Sequence, residues 1–409
     1  MARSGFTSAG GAALSALSAR QAVNVKLAAR IVLHHGMLSG NVPGSVVEAT
    51  RHPSACQPRI AHRHSLASKL QPGKPTITDV ARRAGVSKSL VSLVMRGADH
   101  VSVRRRQAVN QAAAELGYRP NAMARSLVQR RTHLVGVMVS DLHNPFFADV
   151  VAGIQEQAER TGYKVLVNSG NRAAAREADA METLLQLRAD GIILGSPVLD
   201  DDVIVRASLE VPIVLVGREA RGPAVDSVTN DDRKGAEIAV EHCVALGHRR
   251  IAHIDGGEGA GAPDRRRGYE AAMKRLSLGE LVSVVSGTYT EEGGHRGCLV
   301  LLAQRPRPTA IFAANDVAAI GALNAIEESG LKVPDDVSLV GYDNTSLAAL
   351  RHISLTTVHQ PRIEMGQLAL STLLERVDQD REEPRRVVLS PSLVVRASTA
   401  PPREGVRES

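Results

Sequence analysis

Two short apolar patterns hinged on one glycine, followed by a longer pattern ending on another, constrain residues 76–117 more tightly than any other stretch. Thr78 is placed to cap a short helix whose apolar face is Val80, Ala81 and Ala84, and Gly85 supplies the tight turn after it. Ser87 caps a second helix that turns Val91 and Val94 inward and leaves Lys88, Ser89 and Ser92 outside. A third helix starts at Ser102, with Val109, Ala112 and Leu116 at helical spacing and Gly117 at its C-terminal cap. Two short helices joined by a glycine turn form the helix-turn-helix arrangement, whose second helix enters the DNA major groove N-terminus first.

Charge supports an acidic partner, but its location matters more than its sum. The net charge is +7, yet residues 1–74 hold nine Lys and Arg against a single acid, Glu48. Much of the excess therefore lies in this leader. It lacks the compact apolar core of a secretory signal. Three readings of 1–74 compete: a disordered basic arm, a processed leader, or upstream sequence translated from a wrongly chosen start. The last is favoured, because the ordered pattern begins abruptly at Thr76. His34–His35 and His62/His64 are isolated pairs and do not make a metal site. Three cysteines (Cys56, Cys243, Cys298) form no C-x-x-C pair, which points to a reducing compartment without disulfides or zinc. No run of eighteen apolar residues exists, so no membrane segment is expected and the cytoplasm is the predicted location.

The block from Thr76 to Leu127 resembles the DNA-binding head of the lactose/galactose-repressor (LacI-type) family of bacterial transcription regulators. The family's opening T-I-x-D-V-A-x-x-A-G-V-S stands here as Thr76–Ser87, and its closing Y-x-P-N-x-x-A-x-x-L as Tyr118–Leu127. The resemblance implies that Thr78, Ser87, Lys88, Ser89 and Ser92 face DNA. Lys88 and Ser89 stand at the start of the second helix, where base edges are read. Arg104, Arg105 and Arg106 form a basic cluster, either a solvated face or phosphate contacts, with Arg105 the chosen phosphate contact. The family commonly has Arg where this chain has Leu93, and often Asn where it has Arg96, which puts the usual half-site in doubt. Leu93 either touches a thymine methyl or packs on the third helix. In residues 118–132 the resemblance implies a hinge, with Asn121, Arg125 and Leu127 on DNA and Leu127 as a wedge in the minor groove. Seven residues are too few for a stable isolated helix, so hinge folding can be coupled to binding.

From His133 the rhythm changes. LVGVMVSD, YKVLVNSG, GIILGSP, VPIVLVGR, RRIAHIDGG, TAIFAAND and DVSLVGYDN read as strands, mostly separated by amphipathic helices. That alternation predicts α/β architecture, with parallel sheets covered on both faces. The resemblance implies two similar lobes like those of periplasmic sugar-binding proteins. The expected bounds are 75–117 for the head, 118–132 for the linker and 133–399 for the body, with a tail at 400–409. Within the body, lobe 1 takes 133–232 and 362–390, and lobe 2 takes 233–361. The tail has no heptad pattern, so a homodimer is expected.

Ligands of such lobes sit outside the carboxyl ends of the strands. There the resemblance implies effector contacts at Asn144, Phe146, Phe147, Arg265, Asn315, Asp316 and Asp343. Each has a structural alternative: Asn315 or Asp316 as a helix cap, and Arg265 as the partner of a nearby acid. Arg266 and Arg267 read as surface charges. GGEGAGAP (256–263) fits no phosphate fingerprint and reads as a loop. No nucleophile elbow, P-loop or metal-ligand spacing is present, so an enzyme is not expected, nor is any cofactor. The sequence thus predicts a regulator, most simply a repressor, that binds a palindromic double-stranded operator as a homodimer. A small-molecule effector, a sugar or related metabolite, would control it. The alternative is a ligand-binding protein with a vestigial head; the intact 76–127 block and the missing secretory signal argue against it.

Overall fold

The computed structural model describes residues 75–119, 131–219, 221–222, 224–379, 381 and 383–403. The hinge residues Asn121, Arg125 and Leu127, the stretch 1–74 and Cys56 lie outside them. Three helices form the head: α1 (Ile77–Ala84), α2 (Lys88–Met95) and α3 (Val103–Leu116). Val80, Val91, Val94, Val109 and Ala112 meet in its core. Gly85 and Gly117 both hold the left-handed conformation (φ 65° and 63°) that ends a helix without a Cβ clash. The first cap differs from expectation. Helix α1 starts one residue before Thr78, so Thr76 is its N-cap, and the Asp79 carboxylate accepts from the Thr76 N–H (2.9 Å) and hydroxyl (2.7 Å). Asp79 can close this pair only from three residues beyond the cap.

The body contains two six-stranded sheets. Strands β1 (Leu134–Val139), β2 (Lys164–Ser169), β3 (Gly191–Gly195), β4 (Ile213–Val216) and β5 (Val225–Asn230) lie in the first, with β11 (Arg386–Leu389). Its order is β11-β5-β4-β3-β1-β2, and every pairing is parallel. The second holds β6 (Ile251–Ile254), β7 (Ser283–Val285), β8 (Ala310–Ala313), β9 (Ser338–Asp343), β10 (Thr356–His359) and β12 (Ser392–Val394). Its order is β12-β10-β9-β8-β6-β7, and only β12 runs antiparallel.

Helices cover both faces of each sheet, as nearly continuous apolar strands require. On the first sheet, α4 (Pro145–Thr161) and α11 (Arg362–Gln379) pack on one face, with Val150, Ile154, Ala369 and Leu370 in the core. Helices α5 (Ala174–Gln186) and α6 (Asp201–Ser208) cover the other, through Met181, Leu184 and Ile204. On the second sheet, α9 (Glu291–Leu302) and α10 (Asp316–Glu328) share one face and α7 (Asp232–Ala245) and α8 (Ala262–Arg275) the other.

The chain crosses between lobes three times: after β5, between β10 and α11, and between β11 and β12. Close backbone approach fixes the second crossing. A Cβ at Gly153 would lie 2.0 Å from the Ile363 carbonyl oxygen, and one at Gly366 would lie 2.1 Å from that of Val150. Helices α4 and α11 therefore touch backbone to backbone.

Candidate effector cleft and DNA-reading face

In each sheet the strand order reverses beside the first strand of its lobe, and the carboxyl ends of the strands open on one crevice. A cavity of about 1110 Å³ lies there, lined from both lobes. Asn144, Phe146, Phe147, Arg265, Asn315 and Asp343 all line it. Asp316 does not. It is fully buried behind Asp343, and its carboxylate accepts from the Thr345 N–H (2.6 Å) and hydroxyl (2.9 Å) and from the Thr357 hydroxyl (2.6 Å). With its lone pairs so occupied it supports the sheet instead of meeting a ligand, which corrects the sequence expectation for this residue.

Arg265 on α8 is the centre of the second lobe's wall. Its Nε donates to Asp232 (2.9 Å), Nη1 donates to the Ala314 carbonyl (2.5 Å), and Nη1 lies 3.8 Å from Asp343. Its guanidinium stacks 3.7 Å from the centre of the Tyr342 ring. Burial alone would weaken its hold on the proton, but Asp232, Tyr289, Tyr342 and Asp343 outweigh that and keep it charged. Asp343 has the opposite problem. Burial first, and then repulsion from Asp316, push its carboxyl up to about 7 against the pull of Arg265, and burial raises Asp316 to about 6. Gln360 donates to Asp343 at 2.6 Å.

Asn315 carries out the capping alternative while lining the cavity, and Asn144, for which no cap was expected, does the same at the start of α4. Their Oδ1 atoms accept from the N–H of Phe146 (3.0 Å) and Ala318 (2.8 Å). Phe146 and Phe147 meet edge to face, with ring centres 5.1 Å apart. Other lining groups come from places the motif reading did not single out. Asp232 begins α7, Arg172 follows β2, and Arg218 follows β4 and pairs with Asp201. The glycine loop 256–261 borders the cavity because Tyr289 presses on it: a Cβ at Gly259 would meet that ring at 2.4 Å. Of the two arginines read as surface charges, Arg266 pairs with Glu270 at 2.9 Å, and Arg267 reaches the cavity rim.

On the head, Ser87, Lys88 and Ser89 are exposed at the start of α2, and the Ser87 hydroxyl accepts from Leu90 N–H at 3.2 Å. Thr78 and Ser92 are half-buried. Leu93 packs against the head's core, which favours its packing alternative over a thymine contact. Within the basic cluster Arg104 and Arg105 are exposed, whereas Arg106 donates to the Ala98 carbonyl at 2.6 Å. Arg106 thus holds the turn between α2 and α3.

Among the described residues no group of three His, Cys, Asp or Glu is placed to hold a metal ion. No described helix is long and apolar enough to cross a membrane. Cys243 and Cys298 are free and buried, and burial raises both thiols to about 12.

Comparison with known proteins agrees with this geometry. Residues 132–397 match the model of periplasmic binding proteins and the sugar-binding domain of the LacI family, and residues 76–121 match that of bacterial regulatory proteins of the lacI family. The ribose operon repressor of Haemophilus influenzae is 35% identical over 327 residues, covering 79% of this chain and 98% of its own length. The HTH-type transcriptional regulator DegA of Bacillus subtilis is 36% identical, covering 80% and 99%. Among solved structures, the lac repressor dimer bound to operator and the anti-inducer ONPF superposes with a TM-score of 0.71 at 32% identity, covering 80% and 99%. By its two matched models, its relatives and its fold, the chain belongs to the LacI family of bacterial regulatory proteins.

Proposed function

We propose that this protein is a transcriptional repressor that binds a palindromic operator as a homodimer, in the cytoplasm, and that a sugar or related metabolite in the interlobe cavity controls it. The observation that carries the reading is the presence in one chain of a trihelical head with an exposed Lys88–Ser89 edge and a two-lobed body with a polar cavity. Lys88, Ser89 and Ser92 read bases, Thr78, Ser87 and Arg105 hold phosphates, and Asn121, Arg125 and Leu127 act at the centre of the operator. In the cavity, Arg265 and Asp343 take the effector's hydroxyls, Asn144 and Asn315 flank them, and Phe146 and Phe147 cover an apolar face. An effector shifts DNA affinity only by its differential affinity for two lobe arrangements, so it must change the angle between lobes. No catalytic step is part of this reading.

Selection of duplexes from a random pool by the purified full-length chain, at near-physiological salt, tests it. A recovered palindrome with a fixed central step supports the dimeric regulator. Binding that stays sequence-free, with and without an added pool of free sugars and nucleobases, overturns it.

A further inference from the structure

A hydrogen bond between residues outside the three chain-crossing segments joins the two lobes. Arg172, in the loop between β2 and α5 of the first lobe, donates from Nη2 to the main-chain carbonyl of Tyr289 at 3.0 Å. Tyr289 lies in the loop between β7 and α9 of the second lobe, and both residues line the cavity. Each end of this bond is built to hold its position. The same Nη2 lies 2.9 Å from the Asp141 carboxylate of its own lobe. Asn171 and Arg172 both adopt left-handed backbone (φ 48° and 55°), uncommon for residues with a Cβ, and the Arg172 N–H donates to the Ser140 carbonyl at 2.8 Å. Across the cleft, the Tyr289 hydroxyl donates to the Ala260 carbonyl at 2.8 Å. Its ring is pressed on Gly256 and Gly259, and its carbonyl also lies 3.4 Å from Asn315 Nδ2.

We propose that Arg172 is an interlobe latch: seated on Asp141 of one lobe and donating to the Tyr289 carbonyl of the other, it holds the two lobes together across the cavity. Both of its side-chain contacts run through Nη2, so Nε–H and Nη1 are left to meet an acceptor on a ligand without dislodging Arg172 from Asp141. Arg218 differs: it spends Nη1 on the Pro197 and Leu199 carbonyls and Nη2 on Asp201. Arg172 is thus a positioning residue that sets the lobe angle an arriving ligand must work against. That this ligand is an effector rests on the functional reading above; the closure itself does not.

The test is a distance measured without DNA or ligand. In the full-length chain with Cys56→Ser, spin labels at Glu182→Cys and Glu292→Cys report the lobe separation by pulsed electron paramagnetic resonance; both sites are exposed and lie on opposite lobes. The buried thiols of Cys243 and Cys298, raised to about 12, stay unlabelled at neutral pH. Loss of a hydrogen bond from a charged donor shifts an equilibrium by about tenfold or more, so Arg172→Ala is expected to add a longer-distance population at about ten times the parent's open-to-closed ratio. Arg176→Ala, which removes an exposed charge four residues on, is expected to match the parent. If Arg172→Ala fails to fold by circular dichroism, Arg172→Gln, too short to span the gap, is read in the same way. A distance distribution unchanged in the Arg172 variant overturns the latch even if the protein proves to be a repressor. Opening in that variant upholds it even if no operator is found.

Discussion

Replacing Arg265 by Met tests whether the cavity wall rests on one buried guanidinium. Arg265 is 5% exposed, and Asp232, its partner at 2.9 Å, is 9% exposed. Met keeps much of the side-chain volume but leaves the Asp232 carboxylate without its cation, Asp343 with only Arg362 as counter-charge, and the Ala314 carbonyl without its donor. Breaking a buried pair by deleting one partner costs about 3–5 kcal/mol, because a buried charge is left uncompensated. With a urea slope of about 3 kcal/mol/M, the unfolding midpoint falls by roughly 1–1.7 M. The chain has no Trp, so far-UV circular dichroism is the natural readout. Adding Asp232→Asn removes the stranded charge, and the double variant is expected to recover at least half of the loss. Stranded carboxylates have raised native pKa values, and a raised carboxyl favours the folded state more as pH falls. The Arg265→Met deficit should therefore shrink from pH 7 toward pH 4. An Arg265→Met cost under about 1 kcal/mol, or an Asp232→Asn loss that simply adds to it, would refute the dependence of the wall on this buried guanidinium.

Other perturbations separate the remaining roles. Native Asp343 titrates near 7 against an unfolded value near 3.8, so the folded state holds more protons between those values and stability falls as pH rises through that window. Asp343→Asn should flatten that decline in urea titrations at pH 4 to 7; an unaltered slope counts against the assignment. Gly153→Ala should destabilise the first lobe by about 1–3 kcal/mol or more, since its Cβ meets backbone that cannot move aside, and a neutral melting curve would refute the close approach. Lys88→Ala should change the selected half-site, whereas Arg105→Ala should lower the slope of log affinity against log salt by about one without changing sequence preference. Leu127→Ala should weaken operator binding far more than binding to random duplex, and equal losses would remove the wedge from the mechanism.

The head and the seven apolar strands were legible in the residue order because local rules determine them. Gly85 and Gly117 end helices wherever they stand, and runs such as LVGVMV bury on both faces. Five strands escaped that reading, and β5 explains why. Its V-D-S-V-T-N carries a fully buried Asp226, tolerable only because Arg376 (2.9 Å) and Arg381 (2.8 Å) reach it from about 150 residues further along the chain. A strand whose polar groups are neutralised by distant residues has no local hydrophobic signature. The edge strands β7, β11 and β12 are short and only partly buried, so they lack the fully apolar run that marks β4 and β8.

The cavity divides the same way. The family resemblance pointed to Arg265, Asn315 and Asp343, and the last two stand at the ends of parallel strands, which converge on one crevice whatever the loops contain. Proximity in sequence could not rank neighbours. Asp316 adjoins Asn315, yet the start of α10 turns one side chain toward the cavity and the other into the sheet, where threonines claim it. Nor could it reveal that Arg172 meets Tyr289, 117 residues away. By itself the sequence determined the glycine-capped helix ends, seven of the strand runs and the family, which depend on near neighbours and pattern. Only the tertiary structure decided which charges are paired, which side chain faces the cavity and what joins the lobes. Those depend on distances between residues far apart in the chain.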